Sequence, residues 1–244
     1  MTEDRLARIR LILGEEKLEK LKASFVVVVG LGAVGSYAVE GLARSGVGRL
    51  RLVDFDVVRA SNVNRQLYAL GSTLGRHKAD VARGRVLDIN PHCLAEKLEL
   101  FAGEDTFARI LEGKPDLVVD AIDSLGPKAG LISEVLKLGL PLVSSMGAAL
   151  RTDPSAVRTG SFKEVTGCPL AAKVRHLLRK KNAPLDFTCV YSMEPVGELR
   201  KRRQVDAETE YFDKGRRRAA LGSLPTLTGI FGLTLADAAI KKLT

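Results

Sequence analysis

The stretch Phe25-Val26-Val27-Val28-Val29-Gly30-Leu31-Gly32-Ala33-Val34-Gly35 decides the fold. Its first five residues form an apolar run with no polar alternation, the pattern of a strand buried on both faces of a parallel sheet. The three glycines at 30, 32 and 35 follow at once. The first permits a tight turn, the second lets phosphate approach the backbone, and the third lets the next helix pack on the strand. A helical stretch then runs to about Ser45, and its N-terminus would direct backbone N–H groups at an anion. The glycine spacing alone is a weak signal. Set between a β run and a helix, it predicts an adenine-nucleotide turn.

Working outward, the alternation of strand and helix continues. An amphipathic helix is expected over 3–22, a second strand over 49–54 and a helix over 78–87, which Asn90-Pro91 terminates. Further strands are expected over 94–100, 116–120 and 140–145, with helices over 104–111 and 127–138 between them. Such spacing implies right-handed crossovers and an α/β fold, a Rossmann-like doubly wound, mostly parallel sheet flanked by helices. Beyond Met146-Gly147 the alternation weakens. A C-terminal extension is expected there: a short strand over 156–159, a helix over 169–181, a strand over 187–192, a basic loop over 195–218 and a final helix over 226–242. The chain therefore reads as one domain, 1–244, with a nucleotide-binding half (1–150) and a substrate-binding half (151–244).

The 244 residues are 45% hydrophobic and 27% charged, which excludes disordered, collagenous and coiled-coil classes. Cys93, Cys168 and Cys189, an odd set without close pairing, point to a reducing compartment. The N-terminus lacks the apolar stretch of a signal peptide, so the protein is expected in the cytoplasm. The longest uncharged run, 219–236, contains Gly222, Pro225 and Gly229 and reads as a buried helix rather than a membrane span; peripheral association with a membrane stays open.

The net charge of +9 is unevenly placed. Residues 1–150 hold 20 Lys+Arg against 19 Asp+Glu, whereas residues 151–244 hold 18 against 10. The excess gathers at Lys173, Arg175, Arg179, Lys180 and Lys181, at Arg200, Lys201, Arg202 and Arg203, and at Lys214, Arg216, Arg217 and Arg218. Such clusters suit contact with a polyanion, because each cation beside a phosphate releases counterions. A solvated face is the plainer alternative.

The glycine turn by itself would suggest NAD or FAD. Asp54 ends the second strand, where an acid can take ribose hydroxyls, but a second acid, Asp56, follows, and then Ser61-Asn62-Val63-Asn64-Arg65-Gln66 and Lys78. An additional carboxylate, an Arg and a Lys suit a triphosphate with a divalent metal, the cations neutralising charge that shifts on the phosphates. Asp120 and Asp123 lie at the carboxyl end of the fourth strand, where ligands bind in open α/β sheets. One of the two is a candidate Mg²⁺ ligand, with a helix cap as the alternative role of Asp123. His77, His92 and His176 have neither ligand nor triad spacing, and Phe187 and Tyr191 read as core residues before base-stacking ones.

Taken together, Arg5-Leu6-Ala7-Arg8, the glycine turn, Asp54-Phe55-Asp56, Ser61-Asn62-x-x-Arg65-Gln66, Gly75-x-x-Lys78, Asp88-Ile89-Asn90-Pro91 and Asp120-Ala121-Ile122-Asp123 resemble the ubiquitin-activating-enzyme superfamily in its ThiF/MoeB/HesA form. That resemblance implies adenylation of a carboxylate with ATP and Mg²⁺. It places Gly30, Gly32, Gly35, Asp54, Asp56, Asn62 and Gln66 around the nucleotide, Asn62, Arg65 and Lys78 on the phosphates, and Asp123 on the metal. Arg8 matches an arginine that reaches into the partner subunit's site, which implies a homodimer.

The second half narrows the resemblance. Pro127-Lys128, Asp153-Pro154, Pro169-Leu170-Ala171-Ala172-Lys173-Val174-Arg175 and Cys189-Val190-Tyr191-Ser192 are similar to the branch that uses ATP to cyclise threonylcarbamoyladenosine next to the anticodon of tRNA, with loss of water. Lys173, Arg175, Arg200, Lys201, Arg202 and Arg203 would then contact tRNA. The alternative branch activates a ubiquitin-like sulfur-carrier protein. Members of that branch commonly hold zinc with paired Cys-x-x-Cys motifs, which this chain lacks, so no zinc is expected. A sulfur-relay partner stays open. Cys168 stands where the branch pattern has an acidic residue, and Cys189 reads as a buried structural cysteine before a thiol nucleophile.

Overall fold

The four-valine run becomes β1 (Phe25–Val29), and every residue of it is buried. In this computed structural model, which describes residues 4–197, 204–205 and 219–244, β1 is an interior strand of a seven-stranded sheet. Its neighbours are β2 (Arg49–Val53) and β4 (Leu117–Asp120), both parallel to it. β3 (Leu94–Leu98) pairs outside β2, and β5 (Leu142–Ser145), β7 (Thr188–Ser192) and β6 (Val157–Ser161) extend the other side, giving the order β3-β2-β1-β4-β5-β7-β6. Only β6 is antiparallel within this sheet, against β7. The strand order reverses between β1 and β4, so the crevice at their carboxyl ends is the natural ligand position.

Alternate valines of β1 serve two cores. Val26 and Val28 pack into a cluster with Leu42 of α3 (Gly35–Arg44), Val86 of α4 (Lys78–Ile89) and Phe231 and Leu235 of α8 (Pro225–Leu243). Val27 and Val29 point the other way, to Ile110 of α5 (Phe107–Ile110), Leu131 and Val135 of α6 (Leu125–Lys137) and Val174 of α7 (Pro169–Lys180). Burial of each valine stabilises the fold by roughly 1.5–3 kcal/mol. Helices on both faces make the sheet doubly wound, as the alternation of the sequence predicts.

Four boundaries differ from expectation for physical reasons. The helix expected over 3–22 is two, α1 (Ala7–Leu13) and α2 (Glu15–Ala23), because Gly14 breaks it at φ +82°. The third strand is shorter than 94–100, and Leu94, on this sheet edge, is largely exposed. The helix expected over 104–111 contracts to a single turn, α5. Within the segment expected to be a loop, Gln204–Val205 (β8) pairs with Ala219–Ala220 (β9).

The apolar run near the C-terminus forms α8, which lies against α3 and the sheet. The approach is close: a Cβ on Gly232 would lie 2.4 Å from the Val34 carbonyl oxygen and 2.6 Å from Tyr37 Cβ. Among the described residues no helix is long and apolar enough to cross a membrane.

Candidate nucleotide and carboxylate site

The turn after β1 is built by sterics. Gly30 adopts φ +89°, and its N–H donates to the Val53 carbonyl at 2.9 Å. A Cβ there would stand 2.8 Å from the Ala121 carbonyl oxygen, and one on Gly35 would stand 1.7 Å from the Gly30 carbonyl oxygen. Both positions are closed to any side chain. Gly32 differs, since a Cβ there would meet only the Gln66 side chain, at 3.6 Å. The space beside Gly32 is thus bounded only by that side chain, which leaves its backbone approachable, the property expected of a phosphate-approach glycine. Gly35→Ala should cost about 1–3 kcal/mol or more of stability in urea unfolding. In the surviving folded fraction, ATP binding measured by calorimetry should weaken at least about tenfold, the equivalent of 1.4 kcal/mol.

Asp54 sits just past β2. One carboxylate oxygen accepts the Leu31 N–H at 2.7 Å and the other the Asp56 N–H at 2.9 Å. Burial raises its pKa above the usual carboxylate range, an effect that the nearby Lys78 opposes. Asp56 in turn holds Lys78: Nζ to Oδ2 is 2.8 Å, and the Lys78 N–H donates to the Asp56 carbonyl at 2.9 Å. Lys78 is the first residue of α4 and is 5% exposed. An antiparallel bridge between Val57 and His77 ties that helix start to the segment after β2. Asp56 thus aims the lysine, a more specific task than nucleotide contact.

The segment carrying Asn62, Arg65 and Gln66 docks on the first turn of α3. The Leu67 N–H donates to Ser36 Oγ at 3.2 Å, and the Tyr68 hydroxyl donates to the Ser36 carbonyl at 3.3 Å. Asn62 is buried, with Oδ1 accepting the Arg59 N–H at 3.1 Å. Among the described residues the Arg65 side chain bonds locally, Nη1 to the Ser61 carbonyl at 2.9 Å and to Asn64 Oδ1 at 2.8 Å. Gln66 is buried over Gly32. The Asn64 side-chain amide donates to the Ser223 carbonyl at 3.3 Å, which brings the second half of the chain to this rim.

At the end of β4 the structure separates two carboxylates that residue chemistry alone left as alternatives and of which the resemblance implies Asp123 as the metal ligand. Asp120 is fully buried, with Oδ2 bound by Lys128 Nζ at 2.5 Å and by the Ser144 hydroxyl at 2.6 Å. Its Oδ1 accepts the Ile122 N–H at 3.0 Å, which fixes the turn leading to Asp123. Asp120 is therefore a structural group. Asp123, exposed beyond that turn, is the carboxylate presented at the strand end. A single carboxylate suits Mg²⁺, which typically takes one or two together with phosphate oxygens and water. The Asp120–Lys128–Ser144 cluster was missed, although Lys128 shares the apolar face of its helix with Leu131, Ile132 and Val135.

The remaining candidates fall outside this cluster. Arg8 is exposed on α1, a helix that also exposes Leu11 (86%) and Ile12 (80%). Lys173 is exposed on α7. Arg175 needs correcting as a free tRNA contact: its Nη2 donates to the Phe162 and Val165 carbonyls at 2.9 and 2.8 Å, and its guanidinium lies over the Phe162 ring. It braces α7 against the chain. Arg200, Lys201, Arg202 and Arg203 lie outside the described residues, as do Lys214, Arg216, Arg217 and Arg218.

Phe187 and Tyr191 are buried, and Phe187 stacks on Phe162 with centroids 4.6 Å apart. Burial pushes the Cys189 thiol up to about 12, which suits a structural cysteine and not a nucleophile. Cys168 caps α7, its Sγ accepting the Ala171 N–H at 3.5 Å. Among the described residues no group of three His, Cys, Asp or Glu side chains is placed to hold a metal.

Known proteins match this sequence and this fold. The family model of the ThiF family matches residues 3–244. The chain is 40% identical over 227 residues to the tRNA threonylcarbamoyladenosine dehydratase of Bacillus subtilis, covering 92% of this chain and 89% of that one. It superimposes with a TM-score of 0.86 and 31% identity on Escherichia coli tRNA N6-threonylcarbamoyladenosine dehydratase solved in complex with ATP, over 98% of this chain and 93% of that one. The E. coli molybdopterin-synthase adenylyltransferase is 37% identical over 135 residues, which is 55% of this chain and 53% of that one.

Proposed function

The chain belongs to the ThiF family, and on that premise we propose that it dehydrates threonylcarbamoyladenosine in tRNA, using ATP to activate the carboxylate of the threonylcarbamoyl group. One observation carries this reading above the others. Similarity to the dehydratase of Bacillus subtilis extends over 92% of this chain and 89% of that one, whereas similarity to the E. coli molybdopterin-synthase adenylyltransferase covers about half of each.

The chemistry follows from what a carboxylate lacks. Its oxygen is a poor leaving group until it is bonded to phosphorus. ATP supplies that phosphorus; a phosphoric-anhydride bond breaks as the carboxylate oxygen bonds to it. The nucleophile of the carbamoyl group is already tethered, so ring closure is intramolecular and proximity provides much of its rate. The nucleophile bonds to the carbonyl carbon and gives up its proton to solvent as the activated oxygen departs with its phosphate group, and the nucleoside ends one water lighter.

The residues divide this work. Gly30, Gly32 and Gly35 admit the phosphates to the backbone, and Asp54 takes the ribose hydroxyls. Lys78, aimed by Asp56, together with Arg65 and Asn62, holds phosphate oxygens, while Gln66 supports them over Gly32. Such fixed cations stabilise charge developing on the phosphates without reorganisation during reaction. Asp123 would hold Mg²⁺, which when bound would add further neutralisation there.

Arg8 and the exposed apolar pair Leu11 and Ile12 support a homodimer in which α1 meets a second copy. The tRNA would lie along the basic second half, with Lys173, Arg200, Lys201, Arg202 and Arg203 on its phosphates. The three buried, unpaired cysteines are consistent with a reducing cytoplasm.

ATP turnover separates the two branches. Under this reading, tRNA bearing the linear modification stimulates ATP consumption, and a carrier protein ending in Gly-Gly does not. Stimulation by the carrier alone would transfer the chain to the adenylyltransferase branch. Neutralising Arg200, Lys201, Arg202 and Arg203 should raise KM for tRNA. It should also lower the slope of log KM against log salt by about 0.7–0.9 for each phosphate that is no longer neutralised. An unchanged slope would remove this cluster from the interface.

A further inference from the structure

Arg151 follows the carboxyl end of β5 and is 2% exposed. The loop before it is tightly held: Leu150 adopts φ +62°, and its N–H donates to the Gly222 carbonyl at 2.9 Å. The arginine folds back over this loop, and its Nη1 donates to the carbonyls of Gly147 and Ala149. Its Nε and Nη2 are buried without a hydrogen-bond partner among the described residues. Those two nitrogens form one edge of the guanidinium, presenting two parallel N–H bonds, the side-on fork that matches a carboxylate.

A second feature stands at the same place. A Cβ on Gly147 would lie 3.5 Å from Cys168 Sγ, 3.5 Å from Leu170 Cβ and 3.7 Å from Arg151 Nη1. The glycine, which is only partly buried, therefore separates the arginine from the first turn of α7 by about the width of a methyl group. The 12-residue helix α7 adds the partial positive charge of its N-terminus to that of the guanidinium. Buried guanidinium N–H groups are seldom left without acceptors. Here two of them are left on a guanidinium whose Nη1 lies near the N-terminus of α7, beyond β5, one strand from the β4 end that bears Asp123.

We propose that Arg151, near the N-terminus of α7, binds the substrate carboxylate through its Nε/Nη2 edge and positions it for activation. The inference rests on the dehydratase reading above. The local charge is that of one arginine and one helix end, which suits a single carboxylate; the polyphosphate has its own cations in Lys78 and Arg65.

The test uses the free nucleoside N6-threonylcarbamoyladenosine and its neutral carboxamide as probes, with unmodified tRNA and ATP as controls. The wild-type protein should bind the carboxylate nucleoside at least about tenfold more tightly than the carboxamide, and Arg151→Gln should abolish that preference. Arg151→Lys, which keeps the charge but loses the fork, should fall between them. Both variants should keep the wild-type affinity for ATP. In the wild-type protein, one Arg Nε–H resonance, absent from Arg151→Lys, should shift with the carboxylate nucleoside and not with the carboxamide, so the inference does not depend on a variant that may lose stability. Discrimination retained in Arg151→Gln, or an immobile resonance, would overturn it. Equal weakening of modified and unmodified tRNA by Arg151→Gln would assign Arg151 to an RNA phosphate instead and likewise overturn it. A wild-type protein that dehydrates tRNA but does not discriminate between the probes defeats this inference alone; one that does not dehydrate tRNA defeats the dehydratase reading and this inference with it.

Discussion

Lys78→Ala lowers the rate of dehydration by about 100- to 1,000-fold, the range seen when one preorganised charge-stabilising donor is removed from an active site. The structure adds a second consequence. Lys78 is 5% exposed and pairs with Asp56 at 2.8 Å, so its loss leaves a partly buried carboxylate without its cation. That costs about 1–3 kcal/mol in stability. Arg65 offers the contrast, because its bonds are to Ser61 and Asn64 within its own turn. Arg65→Ala should reduce turnover with the fold's stability nearly unchanged, within about 0.5 kcal/mol. Single-turnover rates and urea unfolding of the two variants check both statements. If both variants keep wild-type turnover, the phosphates are held elsewhere.

Lys128→Met destabilises the protein by about 3–5 kcal/mol, because Asp120 is then a buried carboxylate stripped of its cation. Asp120 and Lys128 both have no measurable exposure, and their ion pair is 2.5 Å long. Only the Ser144 hydroxyl and the Ile122 N–H would remain on that carboxylate. The double variant Asp120→Asn/Lys128→Met removes both charges and should recover much of the loss, since breaking one partner costs more than replacing both. Because Asp120 also fixes the turn that presents Asp123, Lys128→Met should slow turnover in its folded fraction. Denaturant midpoints across the cycle decide it, and a loss below about 1 kcal/mol for the single variant would contradict a buried ion pair.

The centre of the fold was legible because one physical pattern covers it. Val26, Val27, Val28 and Val29 can all be apolar only if the sheet is covered on both sides, and that is the observed arrangement. The glycines were legible for a similar reason, since contacts of 2.8 and 1.7 Å leave no alternative residue at 30 and 35. The helix at the N-terminus was misread because its periodicity runs through Gly14, and only the backbone reveals the break there. At the strand end, Asp120 and Asp123 are three residues apart and chemically identical. Which one is buried and which exposed depends on Lys128 and Ser144, brought in from α6 and β5 to hold Asp120. Arg151 gave no local signal; its burial and its two unpartnered nitrogens are products of tertiary packing.

The most direct test of the account incubates the protein with ATP, Mg²⁺ and tRNA carrying linear threonylcarbamoyladenosine, then weighs the digested nucleosides by mass spectrometry. A nucleoside lighter by one water is expected, formed only when ATP is present and formed more slowly by Arg65→Ala. A nucleoside of unchanged mass, from protein that binds both ATP and the tRNA, would contradict it.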